Sequence, residues 1–126
     1  MLDKVCGSVV PGKQEGRHLG FPTANLLLKF NSLRPAAGIY ACWVEGVGTK
    51  LWPGVLVSGV YWEAEGMPRV EVYLIDFDGD IYGQALQISV VQKLRDVIIE
   101  PDIIKLKEQI AADIVAARRV LKVMGV

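Results

Sequence analysis

Thr23 and Asn25 stand two residues apart in the run Gly16-Arg17-His18-Leu19-Gly20-Phe21-Pro22-Thr23-Ala24-Asn25. In an extended chain, side chains two apart share a face, so these two point one way and Ala24 the other. A hydroxyl and an amide carbonyl are hard oxygen donors, the kind Mg²⁺ accepts beside nucleotide phosphates. Pro22 stiffens the approach. The glycines ahead of it, Gly12, Gly16 and Gly20, let backbone N–H groups come close to phosphate oxygens. Lys13 or Arg17 would neutralise phosphate charge. The plainer explanation of the same residues is a polar turn capping two strands, because short motifs recur by chance.

Glu71 is the second candidate. It interrupts the otherwise apolar run Val70-Glu71-Val72-Tyr73-Leu74-Ile75. A carboxylate there is solvated, paired or functional. As a base it would accept the proton of an alcohol whose oxygen attacks phosphorus. Its plain alternative is a surface glutamate paired with Arg69 or Lys50.

Other chemistries find little support. There is no G-x-x-x-x-G-K-[ST] loop and no G-x-S-x-G elbow. Gly46-Val47-Gly48 lacks the third glycine and the following helix of a dinucleotide fingerprint, and reads as a turn. Asp76, Asp78 and Asp80 alternate like calcium-loop ligands, but the rest of that pattern is missing, which leaves a solvated hairpin tip. A single histidine, His18, excludes a His-rich metal site. Cys6 and Cys42 are far apart and read as thiols of a reduced compartment. Trp43, Trp52 and Trp62 are expected in the core and at a rim.

The 126 residues fit one domain, 1–126, and at 52% hydrophobic they can bury a real core. Acidic and basic residues balance at 14 each, so the basic footprint of a nucleic-acid binder is absent. No apolar run approaches a membrane span, and Met1-Leu2-Asp3-Lys4 has no signal-peptide layout. A cytoplasmic monomer with no nucleic-acid or membrane partner is expected.

These residues need elements to hold them. Val5–Val10, Phe21–Phe30, Ile39–Val44, Leu51–Trp62, Val70–Phe77 and Ile81–Val91 read as extended, with Gly7, Pro53-Gly54 and Gly59 as interruptions. Asp78-Gly79 gives the strongest hairpin signal. The period then changes. Ile103, Leu106, Ile110, Ile114, Ala117 and Leu121 form one helical stripe, with Pro101 and Asp102 in its first turn and Gly125 just past its end. Many short strands closed by one helix predict a small antiparallel barrel or sandwich whose helix covers an opening or a flank.

Taken together, the residues resemble the riboflavin kinase family. The resemblance rests on Gly16–Asn25, on Val70-Glu71-Val72-Tyr73-Leu74-Ile75-Asp76-Phe77-Asp78-Gly79-Asp80-Ile81-Tyr82-Gly83, and on Pro35–Ala41, Leu94-Arg95 and Gln109–Asp113. It runs from about Val5 to Leu121. It implies a mainly β fold, a six-stranded antiparallel Greek-key-type barrel with a C-terminal α-helix. It implies transfer of the ATP γ-phosphate to riboflavin, giving FMN and ADP. By matching position, Thr23 and Asn25 would hold Mg²⁺ and the phosphates, and Glu71 would be the catalytic base. Gly12, Lys13, Gly16, Arg17, Gly20 and Pro22 would border the nucleotide, and Gly59, Glu71 and Arg95 the flavin. With nothing before Met1, FAD synthesis is not expected. Two stretches depart from the family. Val60-Tyr61-Trp62 replaces a Pro-Thr pair after Gly59, and Asp96-Val97-Ile98-Ile99-Glu100 lacks an aromatic after Arg95. Both fall where flavin would be gripped, so a non-catalytic flavin- or nucleotide-binding barrel is the alternative. A nucleic-acid-binding barrel is disfavoured by the neutral charge.

Overall fold

The computed structural model describes residues 4–10, 23–62 and 68–123. Six strands, β1 (Val5–Val10), β2 (Ala24–Leu28), β3 (Gly38–Glu45), β4 (Trp52–Trp62), β5 (Pro68–Leu74) and β6 (Ala85–Arg95), precede one helix, α1 (Ile103–Leu121). All pairings are antiparallel, and the strands close in the order β1-β2-β5-β4-β3-β6. Closure removes the unpaired edges an open sheet would expose.

Alternation sorts the side chains into two cores. Val5, Val9, Ala24, Leu26, Cys42, Val44, Leu56, Val70, Val72, Leu74, Leu86 and Ile88 come from all six strands and fill the interior. The opposite phase of β3, β4 and β5 supplies a second cluster. Ile39, Ala41, Val55 and Ile75 pack outside the barrel with Ala117 and Leu121 of α1. The helix therefore covers a flank rather than a barrel end. Among the described residues no helix is long and apolar enough to cross a membrane.

The helix starts where its N-cap allows. Asp102 is extended (φ −78, ψ 116), and its carboxylate accepts from the N–H groups of Ile104 and Lys105. Asp102 is thus the cap rather than a first-turn residue, and Pro101 lies ahead of it. At the other end Lys122 takes a left-handed conformation (φ 58) and closes the helix itself. Gly125 lies outside the described residues. Ile103 leaves the expected stripe and is 62% exposed, and its neighbour Ile104 is exposed as well.

Three more expectations change. Asp78-Gly79 does not join paired strands. β5 lies between β2 and β4, and β6 between β3 and β1, so residues 75–84 cross the barrel end. The left-handed turns there, Asp76 (φ 62) and Gly79 (φ 147), redirect the chain without a ladder. Pro53-Gly54 does not break β4. A side chain at Gly54 would strike the Tyr73 carbonyl at 2.9 Å, so this glycine serves close strand approach. Gly59 sits at φ 87, with a β-carbon there only 2.7 Å from Ala37 Cβ, at the point where the β4–β5 register shifts.

Candidate active site

The strand register assembles the candidate residues. One row of directly opposed positions runs around the barrel as Val10, Asn25, Glu71, Val57, Ile39 and Arg95. Ile39 and Val57 in this row pack in the cluster beneath the helix, so the row faces outward. Asn25 and Glu71 are its polar centre. Opposed residues hold their β-carbons about 5 Å apart, close enough for one small ion or reacting group to touch both side chains.

Both are buried, Asn25 to 4% exposure and Glu71 to 6%. Burying polar groups on a sheet face is unfavourable unless something repays the lost water. Asn25 Oδ1 is buried with no hydrogen-bond partner among the described residues. An amide oxygen left without a donor fits a cation ligand, since a carbonyl that a neighbour's N–H already engaged would have less to offer a metal. Thr23 precedes β2 and shares the face of Asn25, while Ala24 between them is in the interior core. A threonine hydroxyl and this amide oxygen are hard oxygen donors of the kind Mg²⁺ accepts, and a carboxylate stands across the ladder from them.

Thr23 also borders a cleft of about 250 Å³. Tyr73, Asp78, Asp80, Ile81 and Tyr82 form much of its remaining wall. The crossing segment 75–84, expected only as a solvated tip, therefore builds one side of a cavity. Asp76 at its start accepts a 2.7 Å hydrogen bond from Arg118 of α1. That bond, more than any other influence, holds the Asp76 carboxyl below the usual carboxylate range. Burial and the charge of Asp76 push the Tyr73 phenol up.

Arg95 closes the row at the far side, three strand steps or about 14 Å along the sheet from Glu71. Its guanidinium is engaged with the helix. Nε and one terminal nitrogen donate to the two oxygens of Asp113 at 2.8 and 2.9 Å, and the other terminal nitrogen donates to the Asp96 carbonyl. Ile98 and Ile99, in the segment that follows β6, have exposed side chains. Gly12, Lys13, Gly16, Arg17, Gly20 and Pro22 lie outside the described residues. Tyr73, which lines the cleft and shares the phase of Glu71, was not singled out in the sequence. The Arg95–Asp113 pair had no local signal, because its partners belong to different elements.

A family model described as riboflavin kinase matches residues 3–121. The chain belongs to the riboflavin kinase family. Among curated relatives of this family, the bifunctional riboflavin kinase/FMN adenylyltransferase of Escherichia coli (strain K12) is 38% identical over 115 residues. That match covers 90% of this chain and 36% of the relative, so the chain spans little more than a third of the longer enzyme. Among solved structures, a protein from Streptococcus pneumoniae named as a macrolide-efflux protein superposes with a TM-score of 0.83 at 32% identity, over 91% of this chain and 38% of that one. The riboflavin kinase of Trypanosoma brucei superposes with a TM-score of 0.66 over 95% of this chain and 80% of that one. At 24% identity that second likeness speaks for the fold, and the fold it supports is the six-stranded riboflavin kinase barrel with its C-terminal helix.

Proposed function

We propose that the chain transfers the γ-phosphate of ATP to the terminal ribityl hydroxyl of riboflavin, yielding FMN and ADP. Family membership supplies the reaction. The observation that carries the residue roles is the placement of Asn25 directly opposite Glu71, both buried on one outward face. Thr23 and Asn25 would hold Mg²⁺ with the donor's phosphates. Held there, the ion would supply positive charge against the phosphate charge that shifts toward the leaving group.

Glu71 accepts the ribityl proton as the hydroxyl oxygen attacks phosphorus. A carboxylate is weakly basic, but phosphoryl transfer asks mainly for alignment and charge stabilisation, so a positioned weak base suffices. A β-strand suits this task, since its side-chain directions are fixed by ladder hydrogen bonds on both edges. Burial excludes water, which would otherwise compete as acceptor. The nucleotide would lie at the cleft beside Thr23, and riboflavin on the opposite side of Glu71, toward Gly59 and Arg95.

The direct test is FMN formation from riboflavin, ATP and Mg²⁺ with purified protein. Glu71→Gln keeps the shape and removes the base, and kcat is expected to fall by about 10²-fold or more. Wild-type turnover in that variant would remove Glu71 from its role. Saturable flavin binding with no turnover by the wild type would favour a binding module over a kinase.

A further inference from the structure

We infer that Gln109 of α1 is a specificity-determining contact for the flavin, its side-chain amide oxygen accepting a hydrogen bond from the imide N–H of the ring's pyrimidinedione edge. The inference rests on the kinase reading and assigns a residue that reading leaves unused.

Gln109 is half-buried in the middle of the helix. Its Oε1 is shielded from water and has no hydrogen-bond partner among the described residues. A buried acceptor without a donor is unfavourable, so its persistence calls for a cause. Among the described residues only two side-chain oxygens are orphaned in this way, those of Asn25 and Gln109. The first lies at the phosphate end of the site. The second lies on the helix that packs at the other end, where the row of opposed residues finishes at Arg95.

The neighbours of Gln109 give its oxygen a context. Asp113 follows one helical turn later on the same face, with its β-carbon about 6 Å away. Both carboxylate oxygens of Asp113 are committed to Arg95, at 2.8 and 2.9 Å. A guanidinium carries five N–H donors. Asp113 takes two of Arg95's and the Asp96 carbonyl takes a third, which leaves one N–H on each terminal nitrogen. This end of the row therefore offers two N–H donors and one amide oxygen, all held by ordered elements. A flavin's pyrimidinedione edge is the complement, with an imide N–H between two carbonyl oxygens. Arg95 donates to a carbonyl and Gln109 accepts from the N–H.

The distance along the sheet suits the same ligand. Arg95 stands about 14 Å from Glu71, three strand steps away. With the reacting hydroxyl at Glu71, a ribityl chain laid along the row puts the ring between Glu71 and the helix. The link from Arg95 to α1 exposes Ile98 and Ile99, apolar surface of the kind a ring face covers.

A purely packing role for Gln109 predicts no effect on flavin recognition. The experiment compares wild type with Gln109→Met, which keeps the side-chain length, and with Gln109→Leu. Dissociation constants for riboflavin and for N3-methylriboflavin are read by calorimetry with Mg-ADP present. The KM for Mg-ATP and Tm are measured alongside. Both variants should keep a Tm at or above that of wild type, since an unsatisfied acceptor is removed. Their riboflavin dissociation constants are expected to rise about three- to tenfold, the worth of one hydrogen bond. The KM for Mg-ATP should move less than about twofold. Methylation at N3 should weaken binding to wild type by at least that three- to tenfold and should weaken binding to the variants clearly less, because the contact it blocks is already gone. Unchanged riboflavin affinity in the variants, or an N3-methyl penalty equal in variants and wild type, overturns the inference. Wild-type protein that binds riboflavin without making FMN sinks the kinase reading instead, and the same affinities still decide Gln109. Wild-type protein that binds no riboflavin overturns both.

Discussion

Asn25 and Glu71 meet across the β2–β5 ladder as directly opposed residues, each almost completely shielded from water. Two polar groups so placed contribute little to folding, because an apolar pair would suit the same face better. The cost is understandable if the site exists to hold charge brought by substrates. Backbone ladders fix the two β-carbons, so the pair is preorganised before any ligand arrives.

Replacing Asn25 should separate stability from activity. Its Oδ1 has no partner among the described residues. Asn25→Leu removes an unsatisfied acceptor, and such changes are near neutral or stabilising. Thermal unfolding should show a Tm equal to or above that of wild type. FMN formation should fall by about 10²-fold or more, since a metal-and-phosphate ligand is lost. A variant that loses stability and activity in parallel would make Asn25 a structural residue.

How much of this was legible in the sequence follows from where each signal is stored. The shared face of Thr23 and Asn25 is a consequence of strand geometry, so spacing alone gave it. The helix was equally visible, because Leu106, Ile110, Ala117 and Leu121 repeat at helical intervals. Strand order was not visible from spacing and turns. Asp78-Gly79 carries the dipeptide of a tight turn, yet β5 and β6 are separated in the barrel, and long-range pairing overrode the local preference. Here the resemblance to a family supplied what periodicity lacked. Glu71 illustrates the remaining gap. Its presence in an apolar strand marked it, but its partner across the ladder is 46 positions away in sequence, as the register of 25 with 71 shows. The cleft at residues 75–84 was missed for a related reason. Alternating aspartates read as a solvated tip until the chain folds over the barrel end and brings Asp78 and Asp80 into the wall of the cleft that Thr23 borders.

Arg95 and Asp113 should prove more important for helix docking than surface ion pairs usually are. The pair is bidentate, and the two side chains are 25% and 10% exposed. A planar fork matched to a carboxylate loses both hydrogen bonds at once when either partner is truncated. Arg95→Ala or Asp113→Ala is expected to cost about 2–3 kcal/mol, toward the lower end of values for buried pairs because the site is partly solvated. Lysine at 95 should recover little, having no fork. A double-mutant cycle in urea should return a coupling of about 1–2 kcal/mol. Coupling near zero would mean that this pair does not help to dock the helix and that its apolar packing does. If Arg95 also borders the flavin, Arg95→Lys should raise the riboflavin KM beyond what Asp113→Asn does.

Asp76 and Arg118 give the protein an acid-sensitive contact at the other end of the helix. The hydrogen bond from Arg118 is the main reason the Asp76 pKa lies below its ordinary 3.8, with burial opposing and the charges of Arg118 and Lys50 adding to the shift. A folded-state pKa below the unfolded one means that the native protein favours the ionised form. The contribution is therefore complete above about pH 4 to 5 and disappears as pH falls through the lower folded value. The Asp76 side chain is 65% exposed, so screening limits the effect to below about 1 kcal/mol. Asp76→Asn should lower stability slightly at pH 6 and by progressively less toward pH 2, as the wild-type carboxyl takes up its proton. Urea unfolding of both proteins at the two pH values measures this, and the gap at pH 6 should narrow in high salt. A gap that persisted unchanged into strong acid would show that the amide disturbs the left-handed turn at position 76 rather than the ion pair.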